Sequence, residues 1–425
     1  MGCVLELNES QLRARDEIEA SIEMRRPHLL LGNAGTGKTT LMQEIAKEHH
    51  AAGHNIVLTA PTHKAVAVLE RKLKAAHIDI MCRTIHSLLS LRPKAQGDKQ
   101  IFVRAPKAKA VDANIVIIDE ASMLDSSLMT HIDRHLHGRA VVFCGDSAQL
   151  PPVGEVESRA LHTIPASRLD TIVRQAEGNP IIAAAHMIRQ SQATPDEAMD
   201  WSWTKEVRNE NTGVFAPPRN DVDAWMKKAF TGDAFRADAD FCRYLCHRNE
   251  RVAEINRRIR QWIHGHDLVT PFLPGELALI RSPLVIDENI LISTNEEVEV
   301  LSIEPSDLMG VATWAMKVQT EGGLDHNIHV PRNLHDFQIR LGELADECKG
   351  GSESWEAWHE FKGSFINAQS IYALTIHNSQ GSTFKFAFFD VADVRRQFQR
   401  NPMEARKLLY TGATRPSDGL VLIGV

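Results

Sequence analysis

The sequence predicts an α/β protein made of two doubly wound parallel-sheet domains, each carrying an insertion. Three observations lead there. A strand-like run, a glycine-rich loop and a helical pattern follow one another within residues 28–50. Short apolar runs then alternate with helical stretches to about residue 168, and the alternation restarts beyond it. A polar stretch and a longer acidic one interrupt the two halves. At 425 residues the chain suits two or three domains. With 43% hydrophobic and 24% charged residues it is an ordinary globular chain, which excludes disordered and fibrous classes.

Taken in order, residues 8–24 read as a helix capped by Asn8, with Leu12, Ile18 and Ile22 on its apolar face. His28–Leu31 reads as a strand, Gly32–Thr40 as the glycine loop and Leu41–His50 as a helix. Further strands are expected at Asn55–Thr59, Ile115–Ile118 and Ala140–Cys144, with helices at 62–75 and 122–136. Past residue 168, Pro180–Gln190 and Glu250–Ile263 read as helices around a strand at Phe241–Cys246. Residues 266–365 carry short apolar runs broken by Pro, Gly and Asn, which predicts a small β-rich insert with helical arms. Strands at Ala387–Val391 and Leu420–Val425 flank a helix near 402–413. The expected division is therefore 1–86 with 110–167 as the first domain and 87–109 as its small basic insertion. Residues 168–265 with 366–425 form the second domain, and 266–365 its accessory insertion.

The net charge of −7 conceals an uneven distribution. Asp287–Phe361 holds 16 acidic and 4 basic residues, whereas Arg83–Lys109 holds seven basic residues and one acidic. A polyanion can still be held locally, so net charge excludes no nucleic-acid partner. No apolar run approaches the roughly 18 residues of a membrane span, and the N-terminus lacks a secretory pattern. Glu6 stands where a myristoylation signal wants Ser or Thr. Six cysteines without paired spacing suit a reducing, cytoplasmic compartment. Cys242, Cys246 and His247 lack a second ligand pair and read as packing rather than zinc ligation.

Gly32-x4-Gly37-Lys38-Thr39 is a phosphate-binding loop in the strand–loop–helix setting that supports it. The backbone of Asn33, Ala34, Gly35, Thr36 and Gly37, with Thr40 beyond, would surround the phosphates of ATP. Lys38 would reach the β and γ oxygens, and Thr39 would offer a hydroxyl to Mg²⁺. Val116-Ile-Ile-Asp119-Glu120 is the matching second piece: an apolar strand delivers two carboxylates at its end. Asp119 would hold Mg²⁺ and Glu120 would orient and deprotonate a water. An Asp-Glu pair is ordinarily a solvated turn, but not behind a buried strand downstream of a phosphate loop. Gln149, in Gly145-Asp-Ser-Ala-Gln-Leu-Pro-Pro152, stands where a γ-phosphate or water sensor belongs.

These segments are joined in order by Pro61-Thr-His-Lys64, Thr84-Ile-His86-Ser87, Val173-Arg174-Gln175, Thr375-Ile-His377-Asn-Ser-Gln380-Gly381 and Tyr410-Thr-Gly-Ala-Thr414-Arg415. The series resembles the superfamily 1 DNA helicases over nearly the whole chain. The 5′→3′ branch, superfamily 1B, and its phage Dda-like members are the nearest likeness. The resemblance implies two RecA-like motor domains, ATP and Mg²⁺ dependence, and a monomer acting on single-stranded and forked DNA. Single-strand binding or replication and recombination proteins are the partners it implies, in a cell or phage-infected host cytoplasm. It also implies that Gln11 reads the adenine edge and that Arg174 and Arg415 are arginine fingers. Gln380 and Gly381 would lie by the same phosphate.

Thr62, His63, Thr84, His86, Thr375 and His377 match positions that face single-stranded DNA in such helicases. Hydroxyls and imidazoles suit sequence-independent contacts to phosphate and sugar. Asn378 stands where many relatives place Lys. Phe102, in Lys99-Gln-Ile-Phe-Val-Arg104, would face away from Ile101 and Val103 on a strand, and it matches the strand-separating pin of Dda-like helicases. Trp355, Trp358, Phe361 and Phe365 have helical spacing and read as an arm packing into a small core. A phosphate-loop small-molecule kinase also explains residues 32–39 and 119–120, but not Arg174, 375–381 or Arg415. An ATP-gated DNA scaffold has nothing in its favour, because every catalytic position carries a competent residue.

Overall fold

The computed structural model describes residues 7–425 except 97–98, 174–177, 195–196, 267 and 287–288. Arg174 therefore lies outside the described residues. The chain divides into two compact units. One comprises Met1–Leu89, Lys109–Ile255 and Tyr372–Val425; the other comprises Ser90–Ala108 and Asn256–Ile371.

The first unit opens with α1 (Glu9–Glu23), whose Asn8 and Gln11 form a reciprocal capping box. There follow β1 (His28–Gly32), α2 (Lys38–Ala51), β2 (Ile56–Ala60), α3 (His63–Ala75), β3 (Met81–Thr84) and the one-turn α4 (Ile85–Leu88). The antiparallel hairpin β4 (Leu91–Gln96) and β5 (Lys99–Arg104) belongs to the second unit. The chain returns through β6 (Ile115–Ile118), α5 (Ser126–His135), β7 (Ala140–Gly145), α6 (Ala160–Thr163) and β8 (Ala166–Leu169). These strands form one parallel six-stranded sheet in the order β3-β2-β6-β7-β1-β8. β1, β2, β6 and β7 are buried along their length, which is why they read as unbroken apolar runs. The expected division at 167/168 falls within β8, which pairs with β1 through Leu169.

A second sheet is assembled from α7 (Pro180–Gln192), β9 (Val207–Arg208), β10 (Gly213–Phe215), α8 (Val222–Thr231), α9 (Asp233–Ala237), β11 (Cys242–Cys246) and α10 (Asn249–His264). The second unit supplies the next strands: β12 (Leu277–Ile280), β13 (Leu284–Ile286), β14 (Asn289–Ile292), β15 (Glu297–Leu308), β16 (Val311–Thr320) and β17 (Asp325–Pro331). It continues with α11 (Leu334–Gly350), α12 (Trp355–Gly363) and β18 (Ala368–Ser370). The first unit resumes with β19 (Ala373–Thr375), β20 (Phe384–Asp390), α13 (Val391–Arg395), α14 (Pro402–Ala413) and β21 (Pro416–Ile423). The sheet order is β19-β11-β20-β21-β10-β9, parallel except for the edge pair β10 and β9. Both sheets are RecA-like in their parallel, helix-covered arrangement. Cys242 and Cys246 lie buried within β11, and burial pushes the Cys242 thiol up to about 12.

In the second unit a five-stranded sheet runs β17-β16-β15-β12-β18. Its long β15–β16 hairpin closes through Met309 and Gly310, at φ 52° and 77°, the paired left-handed residues that a two-residue turn demands. α11 and α12 pack Phe337, Leu344, Trp358, Phe361 and Phe365 into a separate cluster. Phe337 and Phe365 ring centroids are 4.9 Å apart, and Trp358 Nε1 donates to Leu341 O at 3.1 Å. The tryptophan-bearing arm is thus a small core, as its spacing predicted. Phe102 is 37% exposed, but Ile101 is 36% exposed. The alternation expected across β5 does not separate these two residues.

Candidate active site

The order β6-β7-β1 in the first sheet sets three loops side by side at the strands' C-terminal ends. They carry Gly32–Thr39, Asp119–Glu120 and Asp146–Gln149, which are far apart in sequence. This is the edge at which parallel sheets bind ligands. Gly35 and Gly37 adopt φ of 80° and 79° and turn the first loop into α2. A Cβ on Gly37 would lie 2.5 Å from Gln11 Nε2, so the loop and Gln11 are in contact. Gln11 is buried; its amide accepts from Asn8 N–H at 3.0 Å and donates to Thr36 O at 3.4 Å.

Lys38 Nζ donates to Gly32 O at 2.6 Å and Asn33 O at 3.1 Å, folded across its own loop. Its hydrogen bonds among the described residues go to these two carbonyls, an arrangement an incoming phosphate would outcompete. Lys72 Nζ lies 3.5 Å from Thr39 Oγ1. Asp119 Oδ1 accepts from Glu120 N–H at 2.9 Å. Glu120 sits at φ 54°, ψ 44°, a left-handed conformation costing about 1–2 kcal/mol for a residue with a side chain. Burial, then repulsion from Asp119, holds its carboxyl above the ordinary range, while Arg415 and Lys38 oppose the shift. A raised carboxyl is the more effective proton acceptor once ionised.

Gln149 is buried, and its Oε1 has no hydrogen-bond partner among the described residues. An orphaned amide oxygen at this position fits a site completed by a polar ligand. Arg415 approaches from the second sheet, where it follows α14. It is 5% exposed and is held by Thr411 O at 3.0 Å, Ser382 O at 3.4 Å and Thr414 Oγ1 at 3.1 Å. No carboxylate pairs with it among the described residues, so it is not a surface ion pair. Gln380 Nε2 donates to Leu150 O at 3.0 Å. Gly381, at φ 73°, leaves space for α3: a Cβ would lie 2.9 Å from Ala65 Cβ and 3.2 Å from Thr62 Oγ1. Glu120 thus lies within electrostatic reach of Asp119, Lys38, Asp146 and Arg415, drawn from both sheets, whereas Gly381 abuts Thr62 and Ala65.

The candidate DNA contacts share a different geometry. Thr84 and Thr375 end parallel strands and Thr62 lies just past one; each accepts a backbone N–H from the turn beyond, at Ser87, Asn378 and Ala65. Each hydroxyl is thereby oriented by the fold and keeps its own proton to donate. Thr84 pairs in register with Ala60, placing Thr62 and Thr84 on adjacent strand ends. His63 starts α3. His86 and His377 imidazoles are held below their ordinary range by burial, with Asp125 opposing at His86 and His247 adding to the shift at His377. Neutral rings donate or accept hydrogen bonds rather than contribute charge.

Sequence reasoning assigned no role to Asp146 or Tyr410, although both fall in quoted motifs. Tyr410 Oη donates to Asp146 Oδ2 at 2.7 Å and accepts from Ala34 N–H at 3.0 Å. Only the packing of α14 against two remote loops brings this out.

Two parallel sheets with a phosphate loop on one and a buried arginine from the other define a nucleotide-driven two-domain motor. Family models agree: an AAA domain matches residues 6–207 and a UvrD-like helicase C-terminal domain matches residues 370–423. An uncharacterized protein of Acanthamoeba polyphaga mimivirus is 25% identical over 92% of this chain and 94% of its own length. The RecD2 DNA helicase of Deinococcus radiodurans is 31% identical over 44% of this chain, and the PIF1 helicase of Trypanosoma brucei brucei 31% over 37%. The chain spans only 24% and 17% of those two proteins. A Pif1 helicase solved at forked double-stranded DNA shares the fold, with a TM-score of 0.53 and 18% identity over 98% of this chain and 92% of that one. Bacteroides Pif1 with ADP-AlF3 and single-stranded DNA gives 0.50 and 17% over the same shares. These matches support an ATP-dependent DNA helicase of superfamily 1B type, and the fold is a Pif1-like two-domain one.

Proposed function

We propose that this helicase hydrolyses ATP to translocate 5′→3′ on single-stranded DNA as a monomer and to unwind duplexes. The observation that carries the reading is Arg415, buried, in no ion pair among the described residues, and near enough to Glu120 to lower its carboxyl, as Lys38 does. Closure of the second domain on the nucleotide would bring that cation to the γ-phosphate, coupling hydrolysis to domain movement. In this reading Glu120 accepts the proton of the attacking water, Gln149 orients that water, and Arg174 adds a second cation. Thr39 and Asp119 fit a Mg²⁺ ion, which when bound neutralises charge on the phosphate oxygens. Residues 1–86 with 110–169 would form the first motor domain, the sequence boundary after 167 moving to the end of β8, and 170–265 with 366–425 the second.

Thr62, His63, Thr84, His86, Thr375 and His377 would grip the DNA backbone. The three oriented threonine hydroxyls support this, because they donate to phosphate without reading sequence. Among the described residues no helix is long and apolar enough to cross a membrane. Direction is tested with 5′-tailed and 3′-tailed duplexes: ATP should open the 5′-tailed substrate faster. Faster opening of the 3′-tailed substrate would reverse the assignment.

The hairpin β4–β5 is proposed as the strand-separating pin, with Phe102 stacking at the fork. Stacking replaces part of the base-stacking lost on opening, worth about 1–3 kcal/mol per base. Phe102→Ala should cripple unwinding while single-strand-stimulated ATPase and translocation stay near wild type. A parallel decline of unwinding, translocation and melting temperature would instead mark Phe102 as packing.

A further inference from the structure

Tyr410 lies on α14 of the second sheet and is 1% exposed. Its hydroxyl is fully used by groups of the first sheet's loops. It accepts from Ala34 N–H of the phosphate loop at 3.0 Å and donates to Asp146 Oδ2 at 2.7 Å. Asp146 in turn fixes the loop that carries Gln149: its Oδ1 accepts from Ala148 N–H at 3.0 Å, and its carbonyl from Gln149 N–H at 3.2 Å. The next residue repeats the connection, since Thr411 Oγ1 accepts from Leu150 N–H at 3.1 Å. Thr411 O also accepts from Arg415 Nε at 3.0 Å. One short helical segment thus touches the phosphate loop, the Gln149 loop and the arginine.

We propose that Tyr410 is a positioning residue whose hydroxyl couples the state of the phosphate loop to the placement of Gln149 and Arg415. The proposal rests on the motor reading above. Ala34 N–H belongs to the loop whose amides hold phosphate, so a bound nucleotide and the Tyr410 hydroxyl draw on the same loop. When the loop tightens on phosphate, the change reaches Asp146 and α14 through a single oxygen. Burial and the neighbouring Asp146 carboxylate keep this phenol protonated, so it remains a donor to Asp146. The residue touches no reacting atom; it aligns two groups that do.

The test is a double-mutant cycle of Tyr410→Phe and Asp146→Asn, with wild type and the double variant. Tyr410→Phe keeps the ring and removes only the oxygen. DNA-stimulated kcat should fall about tenfold or more, with KM for ATP changed by less than about threefold. A fluorescent ADP analogue should bind with unchanged or tighter affinity, because the competing acceptor is gone; a merely damaged fold would bind it more weakly. The two substitutions should be non-additive, the double variant being no slower than the slower single. A kcat for Tyr410→Phe within about twofold of wild type, weakened ADP-analogue binding, or losses that multiply in the double variant would each overturn the proposal. Absence of DNA-stimulated hydrolysis in the wild type would strike the motor reading instead, so the two failures are distinguishable.

Discussion

Lys38→Ala is expected to abolish ATP turnover and leave single-stranded DNA binding intact. In the structure Lys38 Nζ bridges Gly32 O and Asn33 O and so braces the loop it belongs to. The substitution removes both that brace and the cation meant for the β and γ oxygens. Losing one aimed donor from a catalytic site costs about 10²–10³ in kcat, or about 2.7–4 kcal/mol. Loss of loop order adds to that figure. The threonines at the strand ends, by contrast, are held by their own turns at Ala65, Ser87 and Asn378, which Lys38 does not touch. Phosphate release with and without single-stranded DNA, beside anisotropy of a labelled oligonucleotide, measures both halves. Substantial DNA-stimulated hydrolysis in the variant would remove the phosphate loop from the mechanism.

The second large effect is expected at Arg415. Arg415→Ala should slow hydrolysis by about 10³–10⁵, the scale of arginine fingers, with a much smaller loss of nucleotide affinity. Arg415→Lys should rescue little, because an ammonium cannot reproduce the fork now spread over Thr411 O, Ser382 O and Thr414 Oγ1. A second signature follows from the charge beside Glu120. Arg415 pulls the Glu120 carboxyl down, against burial and Asp119. Without Arg415 the carboxyl moves further up, and Glu120 acts as a base only when ionised. The acidic limb of the pH–rate profile should therefore shift to higher pH in the residual activity. Near-normal kcat, or an unmoved acidic limb, would return Arg415 to a structural role.

Much of this architecture was legible before any coordinates. Strands buried on both faces carry continuous apolar runs, so β1, β6 and β7 announced themselves, and the glycine loop marked the turn into α2. The long periodic helices α1, α7, α10 and α14 fell close to their expected bounds. Harder to see were β3, β8, the edge strand β9 and its neighbour β10. Each has two to four residues, and β3 and β8 are partly exposed. Such segments have too little pattern to stand out, and it is pairing with a longer neighbour that makes them strands.

The candidate site divides in the same way. Lys38, Thr39, Asp119 and Glu120 could be read from local sequence because each belongs to a short motif whose chemistry depends on adjacent residues. What the sequence by itself determined was therefore the set of elements, the chemical equipment of each loop and the class of reaction. Tertiary structure alone decided which loops meet. The neighbour relation β6-β7-β1 puts Asp119, Asp146 and the glycine loop at one edge, and packing of α14 brings Tyr410 to Ala34 across 376 positions of sequence. It also decided that Arg415 is buried in no ion pair among the described residues and that Ile101 is as exposed as Phe102. Strand order, burial and the approach of remote loops are properties of the packed chain: they arise from apolar faces being covered together, and no local window of residues encodes them.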